Sequence, residues 1–398
     1  MSDPTAKSRR HGPVRWAINC LWILFVRGLL WLRYRISLRG AGAIRPRGEK
    51  GRGTLFLANH PALIDPVMLL TRLYPKFHIR PLAEREQIVG PVIRQCAGLL
   101  GVIPLDSIAS GGTTRGVRET MGEVISALEE GENILLYPAG RLMRSAHESF
   151  GANSGVERIL AELPDVRIVL VRTRGLWGSR LGRASGEQPS MMQTLLRGVG
   201  AMALSLILFL RRRRVEIDLV EPDDFPRDAD RAGINRYLEA HYNAVEASRL
   251  HIPMTLWDRR GVRELPEPAA PESTADVRTV PIAVRESVLA MLREMTGEKT
   301  FDNQTTLADD LGLDSLQMME LIERVTAEIG EVTAEVETIR TVGDVLLAAS
   351  GAMLASSQRI PAAPEAWFSR NVTPWWPVEL TERNLCESLL GQARRLGD

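Results

Sequence analysis

Thr54–Pro66 reads TLFLANHPALIDP. A short apolar run ends at Asn59 and His60, prolines follow at positions 61 and 66, and Asp65 stands directly before the second of them. Proline is favoured at the first position of a helix and aspartate as the cap in front of it. The stretch therefore predicts a strand ending at His60 and a helix opening behind Asp65. The four residues between them form a tight connection that would bring a carboxylate to one imidazole nitrogen and leave the other to face a substrate. A general base needs that arrangement, because the carboxylate fixes the tautomer and stabilises the imidazolium. Taken alone, the pair also fits a capped turn with a histidine filling it. No serine or cysteine stands beside it, so a covalent mechanism is not indicated.

Outward from this stretch the same alternation continues. HIRPLAE (78–84) precedes a helix opening at Pro91, GVIPL (101–105) precedes a helical segment at 113–130, and ENILLYP and VRIVLVRT extend the series to residue 172. Strands alternating with helices at this spacing predict an α/β fold, a sheet flanked by helices. After a polar helical stretch through HYNAVEASR, four prolines at 266, 268, 271 and 281 mark an extended linker. Three helical patterns, at 282–296, 315–329 and 341–349, then predict a small all-α bundle. The expected organisation is a lead-in at 1–50, the sheet domain at 51–258, a linker at 259–281, the bundle at 282–352 and a tail at 353–398.

Charge follows this division. The net charge is +1, yet residues 281–350 hold 14 acidic and five basic side chains, so a basic body carries an acidic appendage. Three scattered cysteines, Cys20, Cys96 and Cys386, form neither a disulfide framework nor a ligand set. A reducing, cytoplasmic setting is expected, with neither metal nor nucleic acid as partner. Near the start, Trp16–Val26 is uncharged, Arg27 follows, and Trp22 and Trp31 alternate with arginines. A span needs about 20 apolar residues, so this segment predicts a helix lying in a membrane interface. Gly198–Leu210 is likewise uncharged and is followed by Arg211–Arg214. Those arginines suit anionic headgroups, although a buried helix with a solvated basic end explains them too.

With these elements laid out, Asn59-His60 through Asp65 resembles the N-H-x4-D block of glycerolipid acyltransferases of the lysophosphatidate type. Gly101-Val-Ile103 resembles that family's second block, Tyr137-Pro138-Ala139-Gly140-Arg141 its third, and Ile168–Arg172 its fourth. The resemblance implies transfer of a fatty acyl group from a thioester to a hydroxyl of a lysophospholipid or glycerol phosphate. It makes His60 the base and Asp65 its orienting partner, and backbone N–H groups near the block would stabilise the oxyanion. It also puts Asn59, Tyr137, Pro138 and Gly140 at the substrate, with Arg141 and Arg144 near enough to supply a phosphate contact. Two departures concern the acceptor: Ala139 stands where the family has glutamate, and Leu105–Ser107 replaces an expected arginine. The pattern is similar to the acyltransferase domains fused to acyl-activating ligases that reacylate lysophosphatidylethanolamine.

Residues 307–322, LADDLGLDSLQMMELI, put Ser315 behind an acidic turn at the opening of a helix bearing Glu320, Glu323 and, beyond it, Glu328. This resembles the acyl carrier proteins, and the resemblance implies covalent 4′-phosphopantetheine on Ser315, attached by a phosphopantetheinyl transferase. A helix N-terminus favours the phosphodiester, and the acidic helix would dock basic partners. A tethered carrier raises effective donor concentration to about millimolar. The tail ELTERNLCESLLGQARRLGD is similar to the opening of acyl-activating ligases, which suggests a ligase partner or neighbour. The expectation is a peripheral enzyme on the cytoplasmic face of the membrane. Its rivals are an acyltransferase with a non-glycerolipid acceptor and a non-catalytic carrier that docks to membranes.

Overall fold

The computed structural model describes residues 13–46, 51–85, 91–105, 114–151, 153–185, 191–205, 211–245, 247–255, 257, 261–265, 276–297, 300–308, 310–330, 332 and 339–351. Asp106 and Ser107, most of the proline-rich linker and the ligase-like tail lie outside these residues. The chain opens with helix α1 (Pro13–Arg33), strand β1 (Tyr34–Arg39), strand β2 (Thr54–Ala58) and helix α2 (Asp65–Phe77). Next come β3 (Arg80–Glu84), α3 (Pro91–Leu100), β4 (Ile103–Leu105), α4 (Thr114–Glu129), β5 (Ile134–Leu136) and α5 (Gly155–Glu162). β6 (Arg167–Arg174), α6 (Met191–Ser205), β7 (Arg213–Val220), α7 (Arg231–Asn243), and the short β8 (Leu250–His251) and β9 (Arg263–Glu264) follow.

Seven strands form one sheet in the order β1-β7-β6-β2-β5-β3-β4, parallel except where β7 runs against β6. β1 pairs with β7, so the sheet begins upstream of residue 51, where the sequence suggested that its domain starts. The arginines of YRISLR hid that strand, because charge at alternate positions suits an edge strand but breaks an apolar run. β2 lies centrally, and all five of its residues are buried. Side chains alternate across a strand. Leu55 and Leu57 accordingly pack with α4, α5 and α7 on one face, while Phe56 and Ala58 pack with α1 and α2 on the other.

α1 is tied to α2 by polar groups as well as by Ile23 and Leu30. The Asn19 amide donates to the Tyr74 hydroxyl at 2.7 Å, and Arg27 donates to the Thr71 carbonyl at 3.0 Å. Arg27 thus points at protein, and the opposite side of α1 leaves Leu21, Leu24, Phe25 and Trp31 exposed. The arginine run is not one solvated cluster: Arg213 is buried at the start of β7 and donates to the Gly175 carbonyl, whereas Arg211, Arg212 and Arg214 are exposed. No helix among the described residues is long and apolar enough to cross a membrane.

Beyond the linker, α8 (Ile282–Thr296), α9 (Ser315–Glu328) and α10 (Val342–Ala349) bury their own apolar core around Val288, Leu292, Leu321, Val325, Val345 and Leu346. The architecture is an α/β sheet domain with helices on both faces, followed by a small helical bundle.

Candidate active site

His60 sits just past the end of β2, where crevices form in open α/β sheets. Its Nδ1 lies 2.9 Å from Asp65 Oδ2, and its side chain is 13% exposed. Asp65 is not the helix cap that its place before Pro66 suggested. Ile64 occupies that position and Asp65 is the first helical residue. The carboxylate instead folds back over the connection, where Oδ2 also accepts the Ala62 N–H at 3.2 Å and Oδ1 accepts the Tyr137 hydroxyl at 2.8 Å. Fully buried, Asp65 is therefore held by three donors.

Tyr137 follows β5 and was expected at the substrate; its ring lies 4.4 Å from that of His60. Burial and then the Asp65 carboxylate hold its phenol well above the usual range, so it remains a donor. Asn59 was likewise expected at the substrate, but its side chain is committed within the fold. Its amide donates to the Thr173 carbonyl at 3.0 Å and its oxygen accepts the Thr173 N–H at 2.7 Å, clamping the end of β2 to β6. Pro138 is buried, and Gly140 turns the chain with φ of +63°. Their roles are geometric: the turn starts with the Gly140 N–H on the Tyr137 carbonyl at 2.9 Å.

The connection carrying His60 is fixed from behind. The Met143 N–H donates to the His60 carbonyl, and the Leu63 N–H to the Leu181 carbonyl, both at 2.9 Å. Arg141 reaches the Ser149 carbonyl at 3.2 Å, which keeps its side chain beside this loop.

Glu148 is a member of the site that sequence reading missed. Its Oε2 accepts the His60 N–H at 3.3 Å, and Asn243 of α7 holds its backbone from both sides. Burial pushes its carboxyl up to about 7, against the His60 N–H and Arg141, which favour the charged form. Position 139, the expected place for a glutamate, is an alanine buried in the core. The acidic group beside His60 thus comes from a loop 88 positions away. A cavity behind the loop, lined by Asn59, Glu148, Thr173, Trp177 and Tyr242, has a volume near 20 Å³. That is room for about one water, so substrates do not enter there.

Residues 36–173 match the Acyltransferase family, and residues 286–347 match the phosphopantetheine attachment site family. The chain is an acyltransferase with its own phosphopantetheine attachment domain. Among solved structures it is similar to the 1-acyl-sn-glycerophosphate (LPA) acyltransferase PlsC from Thermotoga maritima, at 16% identity and a TM-score of 0.40, covering 60% of this chain and 82% of that one. No curated protein matches the sequence.

The attachment domain of this acyltransferase takes 4′-phosphopantetheine covalently. Ser315, the expected attachment residue, is the first residue of α9. Asp314 caps the helix in a reciprocal box with Gln317, each side chain accepting the other's backbone N–H at 2.8 and 2.9 Å. Partial burial raises the Asp314 carboxyl, but the Gln317 N–H and the Arg158 guanidinium of α5 outweigh it and leave the group below its ordinary value. A capped helix start suits an attached phosphodiester.

Proposed function

We propose that this enzyme transfers a fatty acyl group from a thioester on its own carrier domain to the hydroxyl of a lysophospholipid or glycerol phosphate. The observation that carries the reading is the His60 Nδ1 bond to Asp65 at 2.9 Å, with the carboxylate itself restrained by Tyr137 and Ala62. Nδ1 then keeps its proton toward Asp65, and Nε2 takes the proton from the acceptor hydroxyl. The acceptor oxygen bonds to the acyl carbon, the carbon–sulfur bond breaks, and the proton held by His60 goes to the departing sulfur. Asp65 stabilises the imidazolium between these events. The attached pantetheine contributes the thiol that carries the acyl group. Ser315 anchors it, and the protein's part is to hold both substrates and to move one proton through His60.

A membrane surface as acceptor source is supported by the exposed Leu21, Leu24, Phe25 and Trp31 on α1 and by Leu196 and Leu204 on α6. Arg212, just before β7, lies 4.5 Å over the Trp31 ring and sets a cation beside the exposed side of α1. This favours peripheral attachment to a membrane surface, and we place that attachment at the cytoplasmic face. A second reading keeps the chemistry and changes the acceptor to something other than a glycerolipid. It is favoured by Ala139, which is buried and presents no polar group for an acceptor.

The test uses the full chain carrying a labelled acyl-pantetheine, added to liposomes containing lysophospholipid. Label should move to lipid in the wild type and fall by about 10²–10⁴-fold in His60→Ala. Undiminished transfer in that variant would falsify the base assignment. Label found on a soluble hydroxyl compound but not on lipid would establish the second reading.

A further inference from the structure

The sheet domain and the carrier bundle meet across α5, α7 and the start of α9. Arg158 donates to Asp314 Oδ2 and, through Nε, to the Ser154 hydroxyl at 3.1 Å. That hydroxyl lies 3.4 Å from the same carboxylate oxygen. Arg231, the first residue of α7, is anchored by its own N–H on Glu157 at 2.9 Å. Its guanidinium donates to the carbonyls of Leu313 at 2.8 Å, Ala308 at 2.7 Å and Gly312 at 3.4 Å. Those three carbonyls belong to the turn that leads into Ser315. One guanidinium thus reads the acidic cap and the other reads backbone shape, a division that the rigid donor fork of arginine permits and a lysine does not.

Beside this contact runs a groove of about 490 Å³ between α4 and α5, walled by Val117, Met121, Ile125, Ala161 and the carrier's Leu316, with Arg158 among its lining residues. The neighbours of Ser315 in the chain, Asp314 and Leu316, therefore meet a cation and an apolar wall respectively. The volume falls within the range of about 300–1,000 Å³ that small-molecule ligands occupy.

We propose that α4, α5 and α7 form the docking platform for the chain's own carrier domain, held through Arg158 and Arg231, and that the groove receives the acyl-bearing arm of Ser315. The proposal rests on the reading that Ser315 carries the acyl donor. The phosphate of the arm would meet Arg158 and its acyl chain the apolar wall, so that the donor is sheltered from water while docked. Sequence alone gives no sign of this platform, since Arg158 and Asp314 are 156 positions apart.

The experiment places a reporter in the groove. In the full chain carrying Met121→Cys, maleimide labelling of residue 121 is followed peptide by peptide in the unmodified protein and in the hexadecanoyl-pantetheine form. Loading should slow labelling about tenfold, and Arg158→Glu together with Arg231→Glu should restore the unmodified rate. The milder Arg231→Gln should restore it in part, which guards against misfolding of the double variant. Acyl transfer from the carrier should fall about tenfold in the double variant, and wild type is assayed in parallel with soluble acyl-CoA as donor. Equal labelling of the loaded and unmodified forms, or slowing that persists in the double variant, overturns the proposal. If wild type transfers acyl groups from neither donor, the catalytic reading falls and the labelling alone decides whether the arm docks.

Discussion

Tyr137 donates its hydroxyl to Asp65 at 2.8 Å while its ring faces His60. Tyr137→Phe removes one of three donors from the carboxylate and preserves the ring, so kcat is expected to fall by up to about tenfold, the worth of one hydrogen bond, with KM unchanged. Glu148 offers a different measurement. Its carboxyl value of about 7 in the fold stands above the ordinary 4.5. A raised value means that the folded state binds the proton more tightly than the unfolded state. The stabilisation is therefore complete below the ordinary value, declines as pH rises, and is gone once pH has passed about 7. Glu148→Gln should flatten that slope, gaining on wild type by on the order of 3 kcal/mol across the window in thermal melts. A variant whose pH dependence parallels that of wild type would show that Glu148 is not the titrating group. His60 and Asp65 were legible because they sit in one short connection. Glu148 was not, since it lies in a loop without periodicity and reaches His60 only through the packing of α7 against the end of β2.

The strand-to-helix connection after β2 depends on a second loop. A Cβ built on Gly182 would lie 2.6 Å from the Trp177 carbonyl oxygen and 2.8 Å from that of Pro61. Backbone must shift to admit it, and Pro61 adjoins His60. Gly182→Ala should lower kcat more than a stability loss of about 1–3 kcal/mol explains, as checked by kinetics well below the melting temperature. Asn59→Ala should instead cost mainly stability, about 1–3 kcal/mol, because it leaves the Thr173 backbone groups unpaired. At this scale the alternating pattern made β2, β3, β5, β6 and α4 readable from their apolar spacing. β1 was concealed by its arginines. The start of α2 was misplaced by one residue, because an aspartate before proline looks the same whether its carboxylate caps the helix or turns back toward a histidine.

Across the whole molecule, the exposed apolar side of α1 is the feature most open to direct measurement. Leu24→Glu with Phe25→Glu should reduce co-sedimentation with anionic liposomes at least about tenfold and leave the circular dichroism spectrum unchanged. Retained binding would remove α1 from the membrane contact. The carrier bundle was visible in the sequence through its acidity and the D-S-L serine, whereas its seat on the sheet domain was not, because docking surfaces have no local pattern. The sheet itself has a further consequence. α1 and α2 cover one side of it and α4, α5 and α7 the other, with His60 past the end of the strand between them. On the proposed assignments, lipid arrives from the first side and the acyl arm from the second, so neither substrate blocks the route of the other. On that reading the acyl group is stored on the carrier's own thiol, and the loaded carrier and the lipid must be present at once. In Ser315→Ala, which has no pantetheine thiol to take an acyl group, initial rates with acyl-CoA and lysophospholipid varied together should give intersecting double-reciprocal lines, where an enzyme that alternated between two half-reactions would give parallel ones.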